Sequence, residues 1–145
     1  MFASLLRVEP EAPGLYHCLS RCVRRAFLCG GEFDHRRDWI RDRLQELAGI
    51  FAVDVAGYAV MSNHLHTILR IAPDRAAAWP ALEIVERWGR LFPQSILRWA
   101  GEDPKQHTPG DALPPHAIAA VADDRRQVER LRRRLSSLSW FMKCL

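Results

Sequence analysis

Two runs rich in β-branched and aromatic side chains lie back to back between residues 51 and 71, parted only by Ser62-Asn63 and stopped by Pro73. Such runs around a short polar pair read as two strands joined by a tight turn, Phe51 to Met61 and His64 to Ile71. That hairpin constrains everything before it. Upstream, Asp34 is a plausible helix N-cap, and Ile40, Leu44, Leu47, Ala48 and Phe51 recur at helical spacing with arginines and acids on the other side. This predicts an amphipathic helix of about four turns. Earlier still, Gly14 to Cys22 (GLYHCLSRC) comes after Pro13 and alternates in part, which predicts a first strand, and Gly30-Gly31 punctuates the chain after it.

The order strand, helix, strand, strand is the first half of the split motif whose full form is β-α-β-β-α-β. The rest of the chain departs from that form. Residues 74 to about 123 hold an Ala-rich stretch, a tryptophan-bearing helix candidate from Ala81 to Trp99, and a loop from Gly101 to Pro115. Four prolines in that loop, Pro104, Pro109, Pro114 and Pro115, exclude regular structure. A last helix is predicted from about Asp124 to the end, with Val128, Leu131, Leu135, Leu138 and Phe141 or Met142 on one face. No run is left over for a fourth strand. The expectation is therefore one domain over 1–145 of α+β class. Its sheet would be antiparallel and ferredoxin-like, as also seen in RNA-recognition domains. The core is expected from 13–72 and about 124–145, with an inserted helical segment over about 74–123 and the fourth strand missing. A sheet without that strand would expose the edge of Leu15 to Arg21, so self-association or poor solubility is expected, a homodimer being one form it can take.

No stretch approaches the roughly 18 apolar residues of a membrane span, and Met1 to Glu11 lacks the basic start and apolar run of a secretion signal. A cytoplasmic location is expected, with Cys18, Cys22, Cys29 and Cys144 as reduced thiols. Three and six residues separate the first three cysteines, spacings that match no common zinc knuckle. Lys105 and Lys143 are the only lysines among 21 basic residues, which leaves 19 arginines. They cluster at Arg21, Arg24 and Arg25, at Arg36 to Arg43, and at Arg125 to Arg134. Arginine's planar fork suits phosphate, while the interleaved Asp34, Asp38, Asp42 and Glu46 fit a solvated surface.

Tyr58 to Ile71 (YAVMSNHLHTILRI) carries the chemistry. Alternate side chains of a strand share a face, so His64 and His66 project together while Leu65, Thr67, Leu69 and Ile71 point the other way. Two imidazoles about 7 Å apart at their Cβ atoms can converge on one ion. The plainer reading is two half-exposed histidines, one bonded to a backbone carbonyl.

In four segments the chain resembles the REP-associated tyrosine transposases, a branch of the HUH single-strand DNA transposases of the smallest bacterial insertion sequences. Pro13 to Arg25 (PGLYHCLSRCVRR) is similar to the family's opening strand and basic turn. Tyr58 to Ile71 is similar to the strand pair ending in Met-x-Asn-His-hydrophobic-His. The helix between them is in place, and Leu135 to Leu145 (LSSLSWFMKCL) resembles the start of the helix after the histidine strand. The resemblance implies that His64 and His66 hold a divalent ion, magnesium or manganese, which polarises the scissile phosphate of single-stranded or hairpin DNA. It also implies that a tyrosine on a later helix attacks, leaving a 5′-phosphotyrosine and a free 3′-hydroxyl.

This sequence departs from the family pattern at the nucleophile. Its only tyrosines are Tyr16 and Tyr58, and neither matches the attacking residue, which is expected beyond Leu145 in a truncated copy. The family's third ligand often comes from the same late helix; Asn63, Ser20 or water are its candidate substitutes. His17 is either a neighbour of the site or a structural partner of Tyr16. Arg21, Arg24 and Arg25 are candidates for DNA phosphates, against a solvated turn. Trp79, Trp88 and Trp99 fit core packing better than base stacking. Arg130 to Arg134 fit a phosphate-tracking face or plain solvation, and His107 and His116 have no assigned role. Three functions are compatible with these residues, in this order: a transposase-type endonuclease domain without its nucleophile, a catalytically inactive single-stranded nucleic-acid-binding module, and a metal-dependent hydrolase that uses water.

Overall fold

In the computed structural model, which describes residues 13–22 and 28–145, strands β2 (Val53–Val60) and β3 (His64–Ile71) form an antiparallel hairpin. Met61 N–H donates to the His64 carbonyl at 2.8 Å, closing the turn over Ser62 and Asn63. Strand β1 (Gly14–Arg21) pairs antiparallel with the other side of β3, from Gly14 opposite Ile71 to Arg21 opposite His64. The sheet order is β1-β3-β2, so β1 and β2 run parallel to each other with β3 between them. Register shifts between Val55 and Gly57, and the extra residue, Ala56, bends β2 there. Among the described residues the sheet has three strands.

Helix α1 (Arg36–Ile50) connects β1 to β2 and buries Leu44, Leu47 and Ile50, with the buried Phe51 just beyond. Its start corrects one expectation: Asp34 does not cap it. Gly30 and Gly31, at φ 108° and 57°, lead the chain into a short 3-10 turn over Gly31–Phe33. Asp34 therefore closes that turn with helical backbone angles (φ −64°, ψ −29°), and His35 takes the position before α1 with no side-chain cap bond. The Asp34 carboxylate instead pairs with Arg37 at 2.8 Å.

The segment after β3 is helical. It contains α2 (Pro73–Ala78), α3 (Ala81–Leu91), α4 (Pro93–Trp99) and α5 (Pro115–Ala122). Pro93 divides the helix expected over Ala81–Trp99, because a proline is tolerated at the first helical position and not in the interior. The proline-rich loop before α5 holds one 3-10 turn, Pro104–Gln106, where none was expected, with Asp103 accepting from Lys105 N–H at 3.0 Å. The predicted terminal helix is also two, α6 (Arg125–Leu135) and α7 (Leu138–Cys144). Asp124 caps the first, accepting from the N–H groups of Arg126 at 2.9 Å and Gln127 at 3.2 Å. The break lies at Ser136-Ser137. Ser136 Oγ donates back to the Arg132 carbonyl at 3.1 Å, and Ser137 turns extended to accept from Trp140 N–H at 3.5 Å. Seven α-helices thus accompany the sheet among the described residues, an α+β architecture.

One core joins these parts. Leu69 and Ile71 of β3 meet Leu47 of α1, Ile84, Val85 and Trp88 of α3, Val121 of α5, Leu131 and Leu135 of α6 and Phe141 of α7. The stretch expected as an insertion thus supplies much of the apolar interior. Each fully buried Leu, Ile or Phe contributes about 1.5–3 kcal/mol of transfer free energy.

Several arginines are engaged in this scaffold. The last carbonyls of a helix lack intrahelical donors, and three guanidiniums supply them. Arg43 donates to the Cys144 carbonyl at 3.0 and 2.8 Å, closing α7. Arg87 donates to Gly49 at 2.7 Å and Ile50 at 3.2 Å, closing α1. Arg132 donates to the carbonyls of Ala76 and, at 2.9 Å, Trp79, closing α2. Trp88 is buried, and Trp79 and Trp99 pack against the core, with Arg87 3.8 Å above the Trp79 ring and Arg130 5.3 Å above Trp99. None of the described helices is long and apolar enough to cross a membrane.

Candidate functional site

Burial alternates along β3 as its sequence requires. Leu65, Thr67, Leu69 and Ile71 are buried beneath the helices, while His64, His66, Ile68 and Arg70 lie on the opposite, open face. The ladder brings neighbours to that face. Across β1, Arg21 is opposite His64, Leu19 opposite His66, His17 opposite Ile68 and Leu15 opposite Arg70. Across β2, Ala59 is opposite His66, Gly57 opposite Ile68 and Asp54 opposite Arg70. The small residues of β2 leave the imidazoles uncovered on that side.

Three imidazoles form the centre. His17 Nε2 and His66 Nδ1 are 2.8 Å apart, their rings within 13° of parallel and their centroids 5.0 Å apart. The His64 and His66 rings meet edge to face with centroids 4.9 Å apart. Asn63 Oδ1 accepts from His64 Nδ1 at 2.6 Å, because a carbonyl oxygen can only accept. That contact leaves Nε2 as the ring nitrogen of His64 open to another partner. Partial desolvation, then the neighbouring His64, His17 and Arg21, push the pKa of His66 below that of a free imidazole. A neutral imidazole is the form that binds metal.

The residues singled out from sequence divide cleanly by face. His64, His66, His17 and Arg21 come together, with Asn63 at the turn. Tyr16, opposite Leu69, and Ser20, opposite Leu65, lie on the helix-covered side, so the sheet separates both from the imidazoles. Tyr58, opposite Thr67, is on that same side and lies beside Arg41 and Gln45 of α1. Arg24 and Arg25 lie outside the described residues. The open-face residues Ile68 and Arg70 were missed, although the period of two that pairs the histidines also assigns them. Ile68 is 45% and Leu15 66% exposed, so apolar surface flanks the imidazoles. Arg70 is held by Asp54 at 2.5 Å, and Arg75 reaches the other oxygen of that carboxylate at 2.6 Å.

With Nδ1 of His64 engaged by Asn63 and Nδ1 of His66 by His17, Nε2 is the ring nitrogen that each of the two residues has left for another partner. Among the described residues no group of three or more His, Cys, Asp or Glu side chains could hold a metal ion. Asn63 has its carbonyl oxygen in contact with His64, and Ser20 faces the helix-covered side. All four cysteines are free thiols, and Cys29 is buried with its Sγ donating to the Met61 carbonyl at 3.1 Å. Comparison of the chain with protein-family models, with curated proteins and with solved structures gives no match.

Proposed function

We propose that this chain is a transposase-type endonuclease domain for single-stranded DNA, with a ferredoxin-like sheet as its platform. The observation that carries the reading is the imidazole cluster on a sheet face that the described residues leave open, flanked by Arg21 and by exposed apolar side chains. The order β1-β3-β2 with a helix linking the parallel outer strands is what three strands of a β-α-β-β-α-β sheet give, and it supports this fold.

His64 and His66 would hold magnesium or manganese through their Nε2 atoms. Bound there, the ion supplies Lewis-acid polarisation of a phosphate oxygen. The chain's own part is positioning. Arg21 offers a guanidinium fork to a phosphate beside the imidazoles. Leu15 and Ile68 offer apolar surface to sugars and bases, and the uncovered face admits an unpaired strand lying across the sheet. Neither tyrosine reaches this face, so the attacking group of a phosphotyrosine step is not provided by Tyr16 or Tyr58. That observation favours the second reading, a catalytically inactive module that binds single strands on the same face.

Fluorescence anisotropy with a labelled hairpin carrying a single-stranded tail, its fully paired duplex, and manganese tests the proposal. Tighter binding of the single strand is expected, strengthened by manganese, with the manganese increment lost in His64→Ala/His66→Ala. Single-strand binding indifferent to manganese would favour the inactive module. Equal binding of duplex and single strand would overturn both.

A further inference from the structure

The two histidines of β3 have different neighbours at the same atom. His64 Nδ1 is engaged by Asn63 Oδ1 at 2.6 Å, and His66 Nδ1 by His17 Nε2 at 2.8 Å. Both contacts leave an Nε2 for other use. An amide oxygen settles the first case, since it can only accept, but two imidazoles can share a hydrogen either way. If His17 donates, His66 carries its own hydrogen on Nε2 and has no lone pair there. If His17 accepts, His66 carries its hydrogen on Nδ1 and presents Nε2 as a ligand, as His64 does.

We propose that His17 is the positioning residue for His66, accepting its Nδ1–H and thereby holding it in the ligand-competent tautomer. This rests on the reading of His64 and His66 as a metal pair. Backbone geometry supports the role. His17 sits opposite Ile68 in the β1–β3 ladder, diagonal to His66 on the same face, so rigid strands set the distance rather than a loop. Its ring lies within 13° of parallel to the His66 ring. The ring edge of His17 that carries Nε2 is thus directed at His66 Nδ1, and in this role His17 acts on the ion through its neighbour. A ligating histidine whose other nitrogen is held by a hydrogen-bond partner is both oriented and made more basic, and loss of such a partner costs about 10- to 100-fold in metal affinity.

The test uses the full chain with ¹⁵N-labelled histidine. In long-range ¹H–¹⁵N spectra without metal, His66 is expected as the Nδ1–H tautomer in the wild type and in His17→Gln, whose amide oxygen still accepts. In His17→Phe it should revert toward Nε2–H, the form a free imidazole prefers. Manganese titration should show about a 10- to 100-fold loss in His17→Phe and no more than about threefold in His17→Gln. An Nε2–H His66 in the wild type would overturn the proposal without needing any variant. Equal loss in His17→Gln and His17→Phe would overturn it too, making His17 a ligand. Manganese binding that survives His64→Ala/His66→Ala would instead sink the metal reading itself, while the tautomer result still decides what His17 does.

Discussion

Arg21 lies directly opposite His64 in the β1–β3 ladder, so an exposed guanidinium and the outer imidazole share one end of the open face. Its charge also helps lower the pKa of His66, two residues along. A cation beside the imidazoles favours an arriving anion, and a DNA phosphate is such an anion.

Arg21→Ala should weaken single-strand binding by a similar factor for every sequence and flatten the salt dependence by about 0.7 of a slope unit, the value for one phosphate contact on a single strand. Binding isotherms between low and moderate salt measure this. An unchanged slope would return Arg21 to the solvated surface.

The face assignment of the tyrosines is testable by covalent trapping. After incubation with labelled hairpin DNA and manganese, the chain should give no shifted, protease-sensitive band on a denaturing gel. A band lost in Tyr16→Phe or Tyr58→Phe would mean that one of them reaches the imidazoles, against the register that puts both on the other side of the sheet.

Trp88→Ala separates packing from base stacking. The ring is 2% exposed, meets Trp140 edge to face at 5.2 Å, and donates from Nε1 to Ser95 Oγ at 3.0 Å. Truncation should cost about 3–5 kcal/mol in denaturant unfolding. Single-strand affinity of the folded fraction should stay unchanged. A selective loss of affinity with stability preserved would reinstate stacking.

Asp54 sets a pH dependence. The hydrogen bond from Arg75 first, then that from Arg70, hold its carboxyl below the usual carboxylate range, with burial opposing them. A depressed folded-state pKa stabilises above the unfolded value, and that contribution is lost as pH falls through the folded one. Asp54→Asn should therefore cost about 1 kcal/mol at neutral pH, modest because the pair is partly exposed, and nearly nothing in strong acid. Urea unfolding of both proteins at neutral and acid pH checks this; a cost that persists in acid would place the effect elsewhere.

The path from strand to helix to hairpin was legible because each part is stated locally. Leu44 and Leu47 recur at helical spacing, Ser62-Asn63 marks the turn, and β3 alternates without error. The histidine pair was legible for the same reason. What escaped notice depends on pairing between distant segments. Tyr16 and His17 are adjacent in sequence, and only the register with β3 shows that one faces the helices and the other His66. The breaks at Pro93 and Ser136-Ser137 escaped because helical periodicity continues across them, with Leu135 and Leu138 on one apolar stripe. The arginine clusters were read as phosphate contacts or as a solvated surface, yet Arg43 and Arg132 in them, and Arg87 outside them, are bound to helix carbonyls 37 to 101 residues away. No local pattern encodes those contacts.

Calorimetric titration of the chain with manganese, beside His64→Ala/His66→Ala under the same conditions, tests the central claim most directly. One site per chain is expected in the wild type and none in the double variant. Both should have the same far-ultraviolet circular dichroism, since His64 and His66 lie on the open face and outside the core. Undiminished manganese binding in the double variant, or no binding by the wild type, would contradict the account.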